Sequence, residues 1–80
     1  MKTRRKPLGT LNAIGGRIAE IRISKRIKQK DFIARLQAKD MDINPSSYSK
    51  LEGQTRKISD LEIIVIAKML GVAVQDLFRE

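Results

Sequence analysis

The sequence predicts an all-α fold, a compact domain of five short helices. Through most of the chain the apolar residues recur at steps of three and four, which is the spacing of one helix face. Several segments carry helix-start signals, and glycines follow two of the expected helix ends. No segment alternates polar and apolar residues over a useful length, so no strand is predicted. A chain of 80 residues has room for one domain with one modest core.

The first two helices are predicted from their apolar stripes. The first helix should begin near Leu11, and the second should run from about Gln29 to Lys39. The start of the second helix is weakly marked, because Lys28 has no acceptor for the free amides and its charge opposes the helix dipole. The two stripes consist of Leu11, Ile14, Ile18 and Ile21, and of Phe32, Ile33 and Leu36.

The third helix is the most sharply bounded. Asn44 can cap it, and Pro45 suits the first helical position, where its missing N–H costs nothing. The helix should end near Gly53, because a glycine adopts positive φ easily. Tyr48 and Leu51 should face the core, which leaves the other side chains of this short helix facing outward.

The last two helices follow a basic loop. Ser59 and Glu62 have the spacing of a capping box, so the fourth helix begins there and should end at Gly71. Its core side is predicted to consist of Ile63, Ile66, Ala67 and Leu70. A final short helix, Val74–Phe78, should close the core.

The charge is large and unevenly distributed. Lys and Arg number 17 against 9 Asp and Glu, which gives a net charge of +8. Residues 1–57 carry 15 basic and 5 acidic side chains, whereas residues 58–80 carry 2 and 4. A polyanion is therefore the expected partner of the first two-thirds of the chain. Residues 1–10 combine charge with Pro and Gly and are predicted to be a flexible basic arm, followed by the domain at residues 11–80.

Composition argues against several classes of function. With no Cys and no His, neither a thiolate metal site nor a nucleophile with a histidine base is available, so no enzyme, metal or cofactor is expected. The longest apolar run, Ile63 to Ala67, is far shorter than the roughly 20 residues of a membrane span. No signal-peptide pattern follows Met1, and a cytoplasmic location is expected.

Several short motifs occur in a fixed order along the chain. They are Ile18-x-x-Ile21-Arg22, Gln29 with Phe32 and Leu36, Ser49-Lys50-Leu51-Glu52-Gly53, Asp60-Leu61-Glu62, Ile66-Ala67-Lys68-Met69-Leu70-Gly71-Val72 and Asp76-Leu77-Phe78. With this set, the sequence resembles the lambda-repressor-like, Cro and Xre family of helix-turn-helix regulators over about residues 14–79. The resemblance implies that helices two and three form the helix-turn-helix, and it implies a bacterial, phage or mobile-element origin.

The third helix is the candidate DNA-reading element, since the major groove admits one α-helix and the residues near its N-terminus reach the base edges. Its candidate DNA-binding residues are Asn44, Ser46, Ser47, Ser49 and Lys50. The serines are equally compatible with being ordinary residues of a helix start. The resemblance further implies that Gln29 contacts a phosphate and that Arg56 and Lys57 neutralise phosphates.

The resemblance also implies a structural ion pair between Arg22 and Glu52, which would orient the third helix. The sequence departs from the family pattern in three places. The turn after helix two is longer, Pro45 stands where a base-reading side chain is common, and Ala73 replaces the usual capping residue of the last helix. These departures affect the loop, the base preference and the stability of the last helix.

The expected function is sequence-specific binding of double-stranded DNA by a repressor-like transcriptional regulator. The alternatives are an antitoxin-type regulator that also binds a protein toxin, and nonspecific nucleic-acid binding. A homodimer is expected, with a second apolar stripe of helix four as its interface unless the N-terminal segment or the last helix covers that stripe. The stripe consists of Leu61, Val65 and Met69. The basic arm is either disordered or inserted in the minor groove.

Overall fold

The structure is a computed structural model that describes residues 11–78, and within this range it is compact and all-helical, with no strand. The predicted all-α class is confirmed. The predicted arm, residues 1–10, lies outside the described residues. Four α-helices are present: α1 at Gly15–Ser24, α2 at Gln29–Ala38, α3 at Pro45–Glu52 and α4 at Asp60–Leu70. The segment Val74–Phe78, predicted as a last helix, forms a 3₁₀-helix.

All of these elements contribute to one core. α1 packs against α3 and the 3₁₀-helix, while α2 packs against α3 and α4. The rings of Phe32 in α2 and Tyr48 in α3 meet edge to face, with centroids 5.8 Å apart, a favourable aromatic geometry. The buried apolar side chains are Ile14, Ile18, Ile21, Phe32, Ile33, Leu36, Met41, Ile43, Tyr48, Leu51, Ile66, Ala67, Leu70 and Leu77.

Helix α1 begins at Gly15, so the predicted start near Leu11 is wrong. The side chain of Leu11 is 45% exposed, and the chain turns at Asn12, whose Oδ1 accepts from the amides of Ile14 and Gly15. Gly15 lies directly against α3, since a Cβ there would be 2.1 Å from the Leu51 carbonyl oxygen. A side chain at this position would therefore push the two helices apart.

The long turn between α2 and α3 is part of the core. Helix α2 begins at Gln29, as predicted, and ends one residue before Lys39. After it, Met41 and Ile43 are buried in alternation with exposed residues, and the Gln37 side chain donates to the Ile43 carbonyl at 2.8 Å. The longer turn is thus anchored by two apolar side chains and a hydrogen bond.

The boundaries of α3 agree with the prediction, but the explanation given for its end is wrong. Asn44 Oδ1 accepts from the Ser47 amide at 2.8 Å, and Pro45 occupies the first turn. Gly53 follows the helix with φ −80°, an ordinary helical value. The left-handed conformation falls on the next residue, Gln54, with φ 66°. The Gln54 side chain is buried and donates to the Asn12 carbonyl.

Helix α4 has both predicted end signals. The Ser59–Glu62 capping box is formed in both directions, and Gly71 follows the helix in the left-handed conformation with φ 75°. At the 3₁₀-helix that follows, Asp76 Oδ2 accepts from the Ala73 amide at 3.2 Å. This contact is the half of a capping box in which the third helical residue accepts from the cap residue's amide, and alanine has no side-chain oxygen to supply the other half.

The predicted second apolar stripe of α4 is not a separate surface. Val65 and Met69 are half-buried and pack against the core, as does Ile63, which was predicted to belong to the core side of the helix. The buried residues of this helix are Ile66, Ala67 and Leu70. The apolar residues on either side of this buried face are therefore partly covered. The exposed apolar pair is instead Leu61 at 73% and Ile64 at 53%. Among the described residues, no helix has the length and apolar character needed to cross a membrane.

Candidate nucleic-acid interface

The outward face of α3 is polar, small and basic. Ser46, Ser49 and Lys50 are exposed, while Tyr48 and Leu51 on the opposite face are fully buried. Within residues 11–78, the side chains of Ser46, Ser49 and Lys50 take part in no hydrogen bond or ion pair. These three predicted site residues therefore share one surface and keep their donors and acceptors available to a ligand.

Two other predicted site residues of this helix are used by the fold. Asn44 is exposed, but its Oδ1 caps α3. Ser47 is half-buried, and its Oγ accepts a hydrogen bond from Arg56 Nε at 2.8 Å. The structure thus separates the predicted contact residues into an outward set and a set that holds the start of the helix.

The carboxylate of Glu52, the last residue of α3, receives hydrogen bonds from three helices. Arg22 in α1 donates through Nε at 2.7 Å and through Nη2 at 3.2 Å. Tyr48, one turn earlier in α3, donates its hydroxyl at 2.5 Å, and Gln29 in α2 donates Nε2 at 3.2 Å. The structure therefore brings Arg22 and Glu52 together, as the resemblance implied. We call these four residues the Glu52 cluster.

The Glu52 cluster also fixes the turn after α1, because Arg22 Nη1 donates to the Ile27 carbonyl at 2.7 Å. The hydrogen bonds that Arg22 donates to Glu52 raise the pKa of its guanidinium. Burial, followed by the hydrogen bond to Glu52, raises the pKa of Tyr48 well above its ordinary value. Both groups therefore keep their protons in the cluster at neutral and moderately alkaline pH.

The start of α2 forms a second basic surface. Lys28 and Lys30 are exposed on either side of Gln29, and no side chain among the described residues caps this helix. The Gln29 side chain is committed to Glu52, so the available group at this position is its backbone amide. Sequence reasoning named Gln29 but missed the two lysines, for which the only signal was their position at a helix start.

The loop after α3 contains one paired and one unpaired cation. Arg56 forms an ion pair with Glu62 of α4, with Nη2 2.9 Å from Oε2. Lys57 is exposed, and within residues 11–78 its ammonium has no ion-pair partner. The pairing raises the pKa of Arg56 and lowers that of Glu62, in each case mainly through their mutual hydrogen bonds. Sequence reasoning missed this pair because the capping box already accounted for Glu62.

No protein-family model, curated protein or solved structure matches this chain.

Replacing Glu52 by Ala should lower the free energy of unfolding by about 3 kcal/mol, because Arg22 would remain nearly buried without its carboxylate. Its side chain is only 10% exposed. Tyr48→Phe is the matched control. It removes one hydrogen bond from the same cluster and should cost about 1 kcal/mol. Urea unfolding followed by circular dichroism measures both values, and equal losses would contradict a central role for the carboxylate.

The Arg56–Glu62 pair should make stability depend on acidity. Because the pKa of Glu62 is lowered in the folded protein, its contribution is fully present above the ordinary value of 4.5 and is lost as the pH falls through the folded-state value. At pH 7 the free energy of unfolding should therefore be higher for wild type than for Glu62→Gln. The difference should be less than about 1 kcal/mol, since the pair is partly exposed. The difference should shrink as the pH falls below 4.5 and vanish once the side chain is protonated in the folded protein, and a difference that grows in acid would contradict this assignment.

Proposed function

We propose that this protein is a sequence-specific double-stranded DNA-binding protein that acts as a repressor-like transcriptional regulator. In this proposal α2 and α3 form a helix-turn-helix, and α3 reads the major groove. The observation that carries the proposal is the contrast between the two faces of α3. One face is buried and ends at the Glu52 cluster, while the other presents Ser46, Ser49 and Lys50 without partners among residues 11–78.

The shape and chemistry of α3 suit the major groove. An α-helix with its side chains is about 10–12 Å across, which fits a groove about 12 Å wide. The small side chains of Ser46 and Ser49 would allow the helix to approach the base edges closely. Lys50 carries three donors on a flexible stem, which matches the O6 and N7 acceptors of guanine.

Phosphate contacts are assigned to two sites that flank α3. The start of α2 offers uncapped amides and the positive end of the helix dipole, together with Lys28 and Lys30. The loop after α3 offers Lys57. Such contacts would position the protein on the duplex and supply affinity that falls with salt concentration.

The exposed pair Leu61 and Ile64 favours a protein partner, which we propose to be a second copy of the chain. These residues lie three apart and thus on one side of α4, with Asp60 before them and Lys68 after them. In an antiparallel pairing of two such helices, Lys68 of each copy would lie near Asp60 of the other. One helix pair of this length buries much less than a standard interface, so the dimer should be weak in solution and form mainly on DNA.

Selection of bound sites from random duplexes tests the proposal directly. We expect one enriched motif with two-fold symmetry and half-sites about 34 Å apart. Lys50→Ala should relax the preference at one base position of each half-site by about 1–3 kcal/mol. Lys39→Ala, which removes an exposed lysine at the C-terminal end of α2, should leave the preference unchanged. Absence of any enriched motif would contradict sequence-specific binding.

The dimer surface is tested by placing a charge on it. Leu61→Glu combined with Ile64→Glu should abolish cooperative binding to the two half-sites while leaving binding to a single half-site within about threefold of wild type. Ile23→Glu, at a position on α1 that is 62% exposed, is the control and should retain cooperativity. Gel-shift titrations on single and paired half-sites measure the difference. Retained cooperativity in the double variant would contradict a dimer formed through this surface.

A further inference from the structure

Arg56 connects the reading helix to the start of α4. Its Nε donates to Ser47 Oγ in α3 at 2.8 Å, and its Nη1 donates to the Lys57 carbonyl at 2.9 Å. Toward α4, Nη1 and Nη2 donate to the two carboxylate oxygens of Glu62 at 3.1 and 2.9 Å. A guanidinium has five N–H groups, so these four contacts leave one N–H for any other acceptor.

Glu62 is itself fixed in place by the capping box of α4. Its Oε1 accepts from the Ser59 amide at 3.0 Å, and its own amide donates to Ser59 Oγ at 3.2 Å. A DNA phosphate that approached Arg56 would therefore meet a carboxylate that cannot swing away without opening the cap. Since the guanidinium charge is already balanced, the pair adds little net attraction for a polyanion.

We propose that Glu62 is a specificity-determining residue, which holds Arg56 on Ser47 and away from DNA phosphates. This inference rests on the proposed DNA-binding function. It differs from the sequence-based expectation that Arg56 neutralises a phosphate, and it leaves that role in the loop to Lys57. With Arg56 as donor, Ser47 Oγ serves as the acceptor and keeps its hydroxyl proton for another acceptor. The consequence is less sequence-independent affinity and a better-oriented reading face.

Glu62→Gln is the appropriate variant, because glutamine is also found at this position of a capping box but carries no charge. In this variant Arg56 is released, so binding to a scrambled duplex should strengthen several-fold. The slope of log K against log salt should become steeper by about 0.9, as expected for one added phosphate contact. The ratio of affinities for the selected and the scrambled duplex should fall.

Two matched variants separate this role from a loss of helix stability. Ser59→Ala removes the cap hydroxyl but keeps the Arg56–Glu62 pair, so the salt slope should equal that of wild type. Arg56→Gln combined with Glu62→Gln removes the released cation, so the slope should return to the wild-type value. Fluorescence anisotropy over about 50–300 mM salt gives the slopes, and thermal unfolding by circular dichroism verifies that each variant is folded.

An unchanged salt slope in folded Glu62→Gln would overturn the inference. It would also be overturned if Arg56→Gln alone made the salt slope as much shallower as Lys57→Ala does. Equal binding of the selected and scrambled duplexes by wild type would overturn the proposed function instead, while the slopes on the scrambled duplex would still decide the role of Glu62. Tripolyphosphate titration, followed at the Arg56 Nε–Hε resonance, decides the same point without DNA. A larger shift is expected in Glu62→Gln than in wild type, and equal shifts would overturn the inference.

Discussion

The position of α3 depends on the carboxylate of Glu52. This carboxylate accepts hydrogen bonds from Arg22 in α1, Gln29 in α2 and Tyr48 in α3. One acidic side chain at the end of α3 thus connects three helices. Because the cluster is nearly buried, its hydrogen bonds are stronger than exposed ones. Loss of one side chain would leave a nearly buried charge or polar group without its partner. The start of α3 is held separately, by the Asn44 cap and by the contact from Arg56 to Ser47. In the proposed function, a helix fixed at both ends would lose little conformational freedom on binding a duplex.

The ion-paired cations within residues 11–78 are all arginines, but Arg26 and Arg35 are exposed and form no ion pair there. Arg17, Arg22 and Arg56 lie in ion pairs with glutamates. Lys28, Lys30, Lys50 and Lys57 are exposed and form no ion pair within residues 11–78. The choice of arginine for the ion pairs follows from side-chain chemistry, since a planar guanidinium matches a carboxylate with two parallel hydrogen bonds, whereas an ammonium is a strongly hydrated point charge. A paired arginine adds little net attraction for a polyanion, so in the proposed function that attraction would come from the exposed, unpaired lysines and arginines.

Local signals in the sequence were sufficient to predict much of the fold. The capping box at Ser59, the Asn44–Pro45 start and the stop at Gly71 each depend on residues within one turn of the chain, and each occurs as predicted. The misplaced start of α1 had a different cause. The observed start depends on the local turn at Asn12 and on the approach of Gly15 to Leu51, which is distant in sequence. An apolar stripe carries no information about either contact. The left-handed residue after α3 was assigned to Gly53 rather than Gln54 for the same reason, because the buried Gln54 side chain is held by Asn12.

The candidate site was predictable as a surface but not as a set of available groups. Outward positions of α3 follow from helical periodicity, which is why Ser46, Ser49 and Lys50 were identified. Periodicity cannot show that Ser47 and Gln29 already have partners, since those partners lie in other elements. The same limit applies to Glu62, whose local role in the cap is visible in the sequence while its contact with Arg56 is not. Because a side chain bonded within the fold offers fewer groups to a duplex, the tertiary contacts decide which polar residues on this surface remain available for recognition.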